Sequence, residues 1–389
     1  MYRILTLNNI AAKGLERLPR DQYEVASELA SPDAILVRSH RMHDMEMPES
    51  LKAIGRAGAG VNNIPVEAMS HRGVAVFNTP GANANAVKEL VLAGMLLAAR
   101  NICQGWEFAR NLSGDDAEIN RQVEAGKKQF RGIELPGRTL GVVGLGAIGV
   151  KVANAARALG MSVVGLDPGI TVSRAWELES GVRQAHSVDE LMSRSDMISL
   201  HVPFNEHTAN LINEDRLALM RPGGTLLNFS RSEIVDEAAV VAALDAGRLH
   251  AYVNDFPSRL TKQHPRCVTL PHLGASTVEA EENCAVMVVE QIRDYLETGN
   301  VRNSVNLPDI QMPRGDKGDR MTVVNANVPN MLGQVSTMLA EAGLNIDDMY
   351  NKSSGDIAYT LVDVEGSIPD AVVRNLRAVD GVLAVRVIR

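Results

Sequence analysis

An α/β protein with parallel sheets, followed by a small α+β tail, is what the sequence predicts. Three observations lead there. Short apolar runs alternate with helical stretches from the N-terminus, and the alternation restarts at residue 138. A glycine-rich turn, GLGAIG at 144–149, lies between an apolar run and an Ala-rich helical stretch. Residues 320–389 carry the order β-α-β-β-α-β, a ferredoxin-like split βαβ unit. Strands joined by helical crossovers form parallel sheets, so the first two blocks read as βαβ units.

Composition agrees with this class and excludes others. At 389 residues there is room for two or three domains. Apolar residues make up 45% and charged residues 22%, ordinary for a globular chain with a sizeable core. Aromatics are only 4%, so that core must be mostly Leu, Val, Ala, Ile and Met. A net charge of −8 argues against a broad nucleic-acid or anionic-membrane surface. The longest apolar run, LVLAGMLLAA at 90–99, is too short to cross a bilayer. The N-terminus, MYRILTLNNIAAKGL, lacks the pattern of a secretory signal. Cys103, Cys267 and Cys284 show no CxxC spacing. They read as reduced thiols of a cytoplasmic protein, with no disulfide frame and no metal site expected.

In chain order, strands are expected in MYRILTLNNI (1–10), DAILVRS (33–39) and GVAVFNTPG (73–81). Residues 51–64, LKAIGRAGAGVNNI, read as an apolar start running into a tight glycine loop. Helical periodicity covers 84–110. From 138, RTLGVVG, a helix at 147–159 and MSVVGLD form the first unit of the second block. SDMISLHVP (195–203), GGTLLNFS (223–230), RLHAYVNDF (248–256) and RCVTLP (266–271) continue it. A helix over 277–299 returns the chain, and 301–320, rich in Pro, Gly and charge, reads as a linker.

The glycine turn fits G-x-G-x-x-G in the context that makes that pattern informative. A strand leads in, a helix leads out, and the next strand ends in Asp167, near the expected spacing of ~20 residues. Gly144 permits the turn, Gly146 admits a pyrophosphate, and Gly149 lets helix pack on strand. Ala147 and Ile148 open the helix whose N–H groups face the phosphates. Asp167 would accept from the adenosine ribose hydroxyls and repel a 2′-phosphate, so NAD is the expected cofactor. Arg231 follows one strand and His272 another, where ligands dock in open α/β sheets. A guanidinium there can grip a carboxylate and polarise a ketone, and an imidazole can carry the proton.

With these residues in place, the sequence resembles the D-isomer-specific 2-hydroxyacid dehydrogenases over nearly its whole length. The segments that carry the likeness are ILVRSH (35–40), GRAGAGVNNI (55–64), VFNTPG (76–81) and GRTLGVVGLGAIG (137–149). NFSRSEIVDEAAV (228–240), PHLGASTVEAEENC (271–284) and GNVRNSVNLP (299–308) complete the set. The resemblance implies a Rossmann-type doubly wound parallel sheet inserted in a flavodoxin-like substrate domain, plus a C-terminal ferredoxin-like ACT domain. It divides the chain into a split substrate-binding domain (1–99 and 285–310), an NAD-binding domain (100–284), a linker (311–319) and the ACT domain (320–389). It implies a homodimer or homotetramer.

By the same resemblance Arg231 and His272 are catalytic, and Arg38, Ser39, Ala59 and Gly60 bind substrate. His40 and Arg41 extend a cationic edge suited to a phosphorylated 2-hydroxy acid. Val202, Phe229, Asn254 and Gly274 join the cofactor contacts. Asn327 and Asn345 match positions of serine-binding asparagines in related tails, Asn325 falls where such sites can carry a histidine, and Asn330 stands where a glycine is usual. A tail that serves only in oligomerisation stays open as the alternative to a serine effector site.

One departure is pronounced. The family places an aspartate and a glutamate where this chain has Asn254 and Arg259, and that glutamate normally holds the catalytic histidine. Asp255, one position off, is expected on the opposite strand face. Glu279 and Glu281, on the following helix, are the other carboxylates that could bend back. Without such a partner, reduction is expected to fade toward alkaline pH earlier than usual. A non-catalytic NAD(H)-sensing protein on the same scaffold stays open as an alternative, as does a reductase of non-phosphorylated 2-keto acids.

Overall fold

The computed structural model describes residues 1–315 and 318–389; residues 316 and 317, inside the linker expected at 311–319, lie outside the described residues. Three sheets organise the chain. The first is parallel: β1 (Tyr2–Leu7), β2 (Tyr23–Ala26), β3 (Ala34–Val37), β4 (Ala53–Arg56) and β5 (Ala75–Phe77), in the order β2-β1-β3-β4-β5. That is the flavodoxin-like order.

The second sheet is also parallel and has seven strands. They are β6 (Thr139–Val143), β7 (Ser162–Leu166), β8 (Val182–Gln184), β9 (Met197–Leu200), β10 (Gly224–Asn228), β11 (Leu249–Asn254) and β12 (Cys267–Thr269). Their order, β12-β11-β10-β9-β6-β7-β8, reverses between β6 and β9, which makes that crevice the topological switch point. The third sheet is antiparallel, β14-β15-β13-β16, from β13 (Arg320–Ala326), β14 (Ile346–Ser354), β15 (Ile357–Val364) and β16 (Val382–Ile388).

The chain forms two compact units, residues 1–82 with 278–389, and residues 83–277. In the first, the long helix Val278–Thr298 lies across β4. Gly55 is where they meet: a Cβ there would stand 2.6 Å from Val288. The core beneath this helix runs without interruption into the C-terminal sheet, joining Phe77, Val288, Tyr295 and Leu296 to Val324, Tyr359 and Leu361. The opposite face of the same sheet packs on the helices Met331–Glu341 and Asp370–Arg377. Arg320, fully buried, pairs through two nitrogens with Asp363 at 2.6 and 2.7 Å and donates to the carbonyls of Thr298, Met312 and Pro313. Tyr359 adds a hydroxyl bond to the Gly299 carbonyl at 2.6 Å.

In the second unit, apolar clusters fill both faces of the seven-stranded sheet. Three details differ from expectation. The helical stretch 84–110 is two helices, Ala84–Ala99 and Ile102–Arg110, broken at Asn101 with φ 50°. The segment 51–64 begins with a true strand, β4, before its glycine loop. β2 and β8 are additional short edge strands, too brief and too exposed to print an alternating pattern.

Candidate active site

The glycine loop has the geometry its residues require. Gly144 adopts φ 91°, and a Cβ on it would meet the His201 carbonyl oxygen at 2.7 Å. At Gly149 a Cβ would overlap the Gly144 carbonyl oxygen at 1.9 Å, so only glycine lets this helix reach its strand. Gly146 is different: it is exposed, with nothing within 4 Å of where a Cβ would be. That open space lies at the start of the helix Ala147–Ala158, whose first N–H groups include those of Ala147 and Ile148. Asp167 braces the loop from the end of β7. One carboxylate oxygen accepts from Leu145 N–H at 2.8 Å and the other from Gly169 N–H at 2.9 Å. Each carboxylate oxygen has a further lone pair for a hydroxyl.

Val202 follows β9 directly, at the switch point. Beside it, His201 shares a 2.8 Å hydrogen bond with Ser199 while its other ring nitrogen is buried without a partner. Burial pushes the His201 imidazole down to about 3, so it stays neutral and is no proton carrier near neutral pH.

Arg231 stands just beyond β10, exposed, with its guanidinium donating to the Ser230 carbonyl at 2.7 Å. Fully buried Asn228 sets this loop, donating to the Arg231 carbonyl at 2.8 Å and accepting from Ser230 N–H at 3.1 Å. Phe229 is a core residue whose ring lies against Gly94, so its backbone is what it can offer a cofactor. Across from Asn228, on β11, Asn254 accepts from Phe256 N–H at 2.9 Å, which fixes its amide as a donor on the other side. Among the described residues that buried Nδ2 has no partner, a donor free for a carbonyl such as that of a carboxamide. Open Gly146, the helix N-terminus and this donor are groups that would hold a nicotinamide dinucleotide.

His272 lies beyond β12, exposed, with φ 57°. β10, β11 and β12 are neighbours, so the segments bearing Arg231 and His272 start about 10 Å apart, two strand spacings. The ring stands edge-on to Phe256 at 5.4 Å. No carboxylate among the described residues of this unit is hydrogen-bonded to it. Arg259, at the position of the usual glutamate, is exposed on a turn closed by Ser258 and Thr261.

Asp255 is 2% exposed, and its two oxygens accept from Leu273 N–H and Gly274 N–H, both at 2.7 Å. β11 ends at Asn254, so strand alternation no longer dictates where Asp255 points. The Gly274 N–H is thereby already engaged.

In the other unit, Arg38, Ser39, Ala59 and Gly60 follow the adjacent strands β3 and β4, again at their carboxyl ends. Arg38 pairs with Glu281 at 2.7 Å, which gives that glutamate a partner of its own. Asn8 receives the N–H groups of Ser39 at 3.3 Å and His40 at 2.7 Å. Asn78 donates to the Ala59 carbonyl at 2.6 Å, and Arg56 donates to the Arg38 carbonyl at 3.1 Å while lying along Gly58. Gly58, buried, Ala59, exposed, and Gly60, half-buried, thus form a held loop.

The three C-terminal asparagines do not gather within one chain. Asn325, 2% exposed, is opposite Ala358, and Asn327 donates to the Gly355 carbonyl at 3.1 Å. Asn345 binds Glu365, at the other end of β15, roughly 20 Å away along the strand. Asn330 adopts φ 67°, the left-handed conformation that asparagine tolerates, so it can stand in for the usual glycine.

Sequence reasoning missed Asn228, Arg56 and the actual place of Asp255. A buried Asn or Asp at the last residue of a strand, or just after it, was the available signal.

Comparison with known proteins agrees with this layout. Residues 92–274 match the family "D-isomer specific 2-hydroxyacid dehydrogenase, NAD binding domain". The chain is 32% identical over 363 residues to D-3-phosphoglycerate dehydrogenase of Haemophilus influenzae, covering 90% of this chain and 85% of that one. It is 35% identical over 351 residues to D-3-phosphoglycerate dehydrogenase of Methanocaldococcus jannaschii, covering 88% of this chain but 63% of the relative's length. Among solved structures, NAD+-bound 3-phosphoglycerate dehydrogenase of Entamoeba histolytica superposes with a TM-score of 0.62 at 26% identity, covering 78% of this chain and 98% of that one.

Proposed function

Because the chain belongs to the D-isomer-specific 2-hydroxyacid dehydrogenases, with their NAD-binding domain, we propose that it is a D-3-phosphoglycerate dehydrogenase. It would oxidise 3-phospho-D-glycerate to 3-phosphohydroxypyruvate, the opening step of serine synthesis, as a cytoplasmic homodimer or homotetramer. The observation that carries the reading is the presence of Arg231 and His272 on the same sheet end as the glycine loop and Asp167.

NAD supplies the acceptor for hydride from C2 of the substrate. The glycine loop and Asp167 would hold the dinucleotide, and the Asn254 amide would be a donor for its carboxamide. Arg231 grips the substrate carboxylate and polarises the oxygen on C2. His272 takes the hydroxyl proton in oxidation and returns it in reduction. In the other unit, by the family resemblance, the held loop at Ala59 and Gly60 would offer N–H groups to substrate, and Arg38, His40 and Arg41 would line an edge suited to a phosphate.

The pairing of Arg38 with Glu281 favours one second reading. With that charge neutralised, a non-phosphorylated 2-keto acid such as hydroxypyruvate or glyoxylate becomes the substrate. NADH consumption with 3-phosphohydroxypyruvate, hydroxypyruvate and glyoxylate separates the two. A kcat/KM at least ten-fold higher for the phosphorylated acid is expected. Preference for either smaller acid selects the second reading, and NADH binding without turnover of any selects the sensor. A serine site built from Asn325, Asn327 and Asn345 together needs a second copy of the chain, so serine inhibition belongs to the oligomer.

A further inference from the structure

We infer that Asp255 is the residue that sets His272 for proton transfer, in place of a carboxylate bonded to the ring; this rests on the dehydrogenase reading above. Three consecutive N–H groups converge on Asp255. That of His272 donates to its carbonyl oxygen at 3.1 Å. Those of Leu273 and Gly274 donate to Oδ1 and Oδ2, each at 2.7 Å. Successive N–H groups around a left-handed residue make a concave nest that binds an anion, and His272 has φ 57°. Here the anion is part of the chain. It is 2% exposed, so water does not compete for the nest.

Two neighbours complete the arrangement. Gly274 lacks a Cβ that would stand 3.2 Å from Oδ2, and this gap lets its N–H reach the carboxylate. Phe256, next after Asp255, meets the imidazole edge-on with an interplanar angle of 84°. Residues 255 and 256 therefore hold the main chain and the ring of His272 respectively.

The left-handed backbone is disfavoured for a histidine and persists only where its surroundings enforce it. Removing the anion lets the loop relax and re-aims the ring. Proton transfer needs the ring nitrogen within about 3.2 Å of the substrate oxygen, and a misplacement of ~1 Å costs about 100-fold in rate. Asp255 is thus a positioning residue that acts through His272. The reaction balance is unchanged: the proton passes between the substrate oxygen and His272, while the hydride chemistry is what NAD would supply when bound.

The test uses the full chain, with kcat for 2-keto acid reduction and NADH affinity by fluorescence. Asp255→Asn is compared in two backgrounds, the unaltered chain and His272→Asn, since asparagine tolerates positive φ. A ten-fold or larger fall in kcat, with NADH Kd held within two-fold, is expected in the first. In the second, the same substitution should change the residual rate by less than two-fold. An unchanged kcat, a loss mirrored in NADH affinity, or equal losses in both backgrounds overturns the inference. If Asp255→Asn does not fold, Asp255→Glu, which keeps the charge but displaces it from the nest, goes through the same cycle with the same outcomes. If the His272→Asn rate is below detection, the comparison of kcat with Kd decides alone. Failure of the unaltered chain to turn over any 2-keto acid is seen before any variant is made. That result overturns the dehydrogenase reading and this inference with it.

Discussion

His201 and His272 show how differently one residue type is used within one sheet end. His272 is exposed beyond β12, whereas His201 is half-buried beside the glycine loop, where desolvation pushes its imidazole down to about 3. The unfolded chain protonates His201 near the ordinary value of ~6.5. Between those values the unfolded state binds more protons, so stability is full above ~6.5 and is lost as pH falls below it. The slope from this group is about 1.4 kcal/mol per pH unit. Urea unfolding of His201→Asn from about pH 6.5 to pH 4 is expected to show a correspondingly flatter acid limb. At this scale the sequence proposes residues where chemistry demands a type: Arg231, His272, Asp167. It does not foresee the N–H groups of Leu273 and Gly274 on Asp255, which lies one residue past the end of β11, where strand alternation no longer applies.

At the scale of elements, the glycine loop makes separable demands. Gly146→Ala adds a methyl where nothing stands within 4 Å, so folding should be intact. The same methyl fills the space at the helix N-terminus, and NADH affinity should drop at least ten-fold. Gly149→Ala forces a methyl onto the Gly144 carbonyl and should cost roughly 1–3 kcal/mol of stability. Thermal melts with NADH titration distinguish the two. The motif was readable because each glycine answers a steric need that leaves a fixed spacing. β2, β8 and the short β4 were not readable as strands. β2 and β8 lie at sheet edges and carry exposed or half-buried residues, and β4 runs straight into its glycine loop, so pairing with neighbours is what makes them strands.

On the scale of the whole molecule, the C-terminal domain shares a core with the first sheet and its long helix. Sequence revealed its internal β-α-β-β-α-β order, but not this shared core, since Tyr295 and Tyr359 come together only on folding. The Arg320–Asp363 pair fastens the junction. Burial alone would raise the Asp363 carboxyl, but Arg320 holds it below its ordinary value. Its contribution is therefore present above the usual carboxylate range and lost as pH falls through the lowered value. Asp363→Asn leaves a buried guanidinium without its counter-charge and should cost about 3–5 kcal/mol. Because the core is continuous, chemical unfolding of that variant should weaken the first sheet and the tail together, not the tail alone.

The proton-carrying role of His272 underlies the whole account, and one measurement addresses it directly. Stopped-flow oxidation of NADH by 3-phosphohydroxypyruvate is followed in the unaltered chain and in His272→Asn, with NADH affinity measured in parallel. The expected result is a rate at least 100-fold lower at unchanged NADH Kd, within the span of general acid catalysis. A rate within two-fold of the unaltered chain would contradict the account, because the proton would then come from elsewhere.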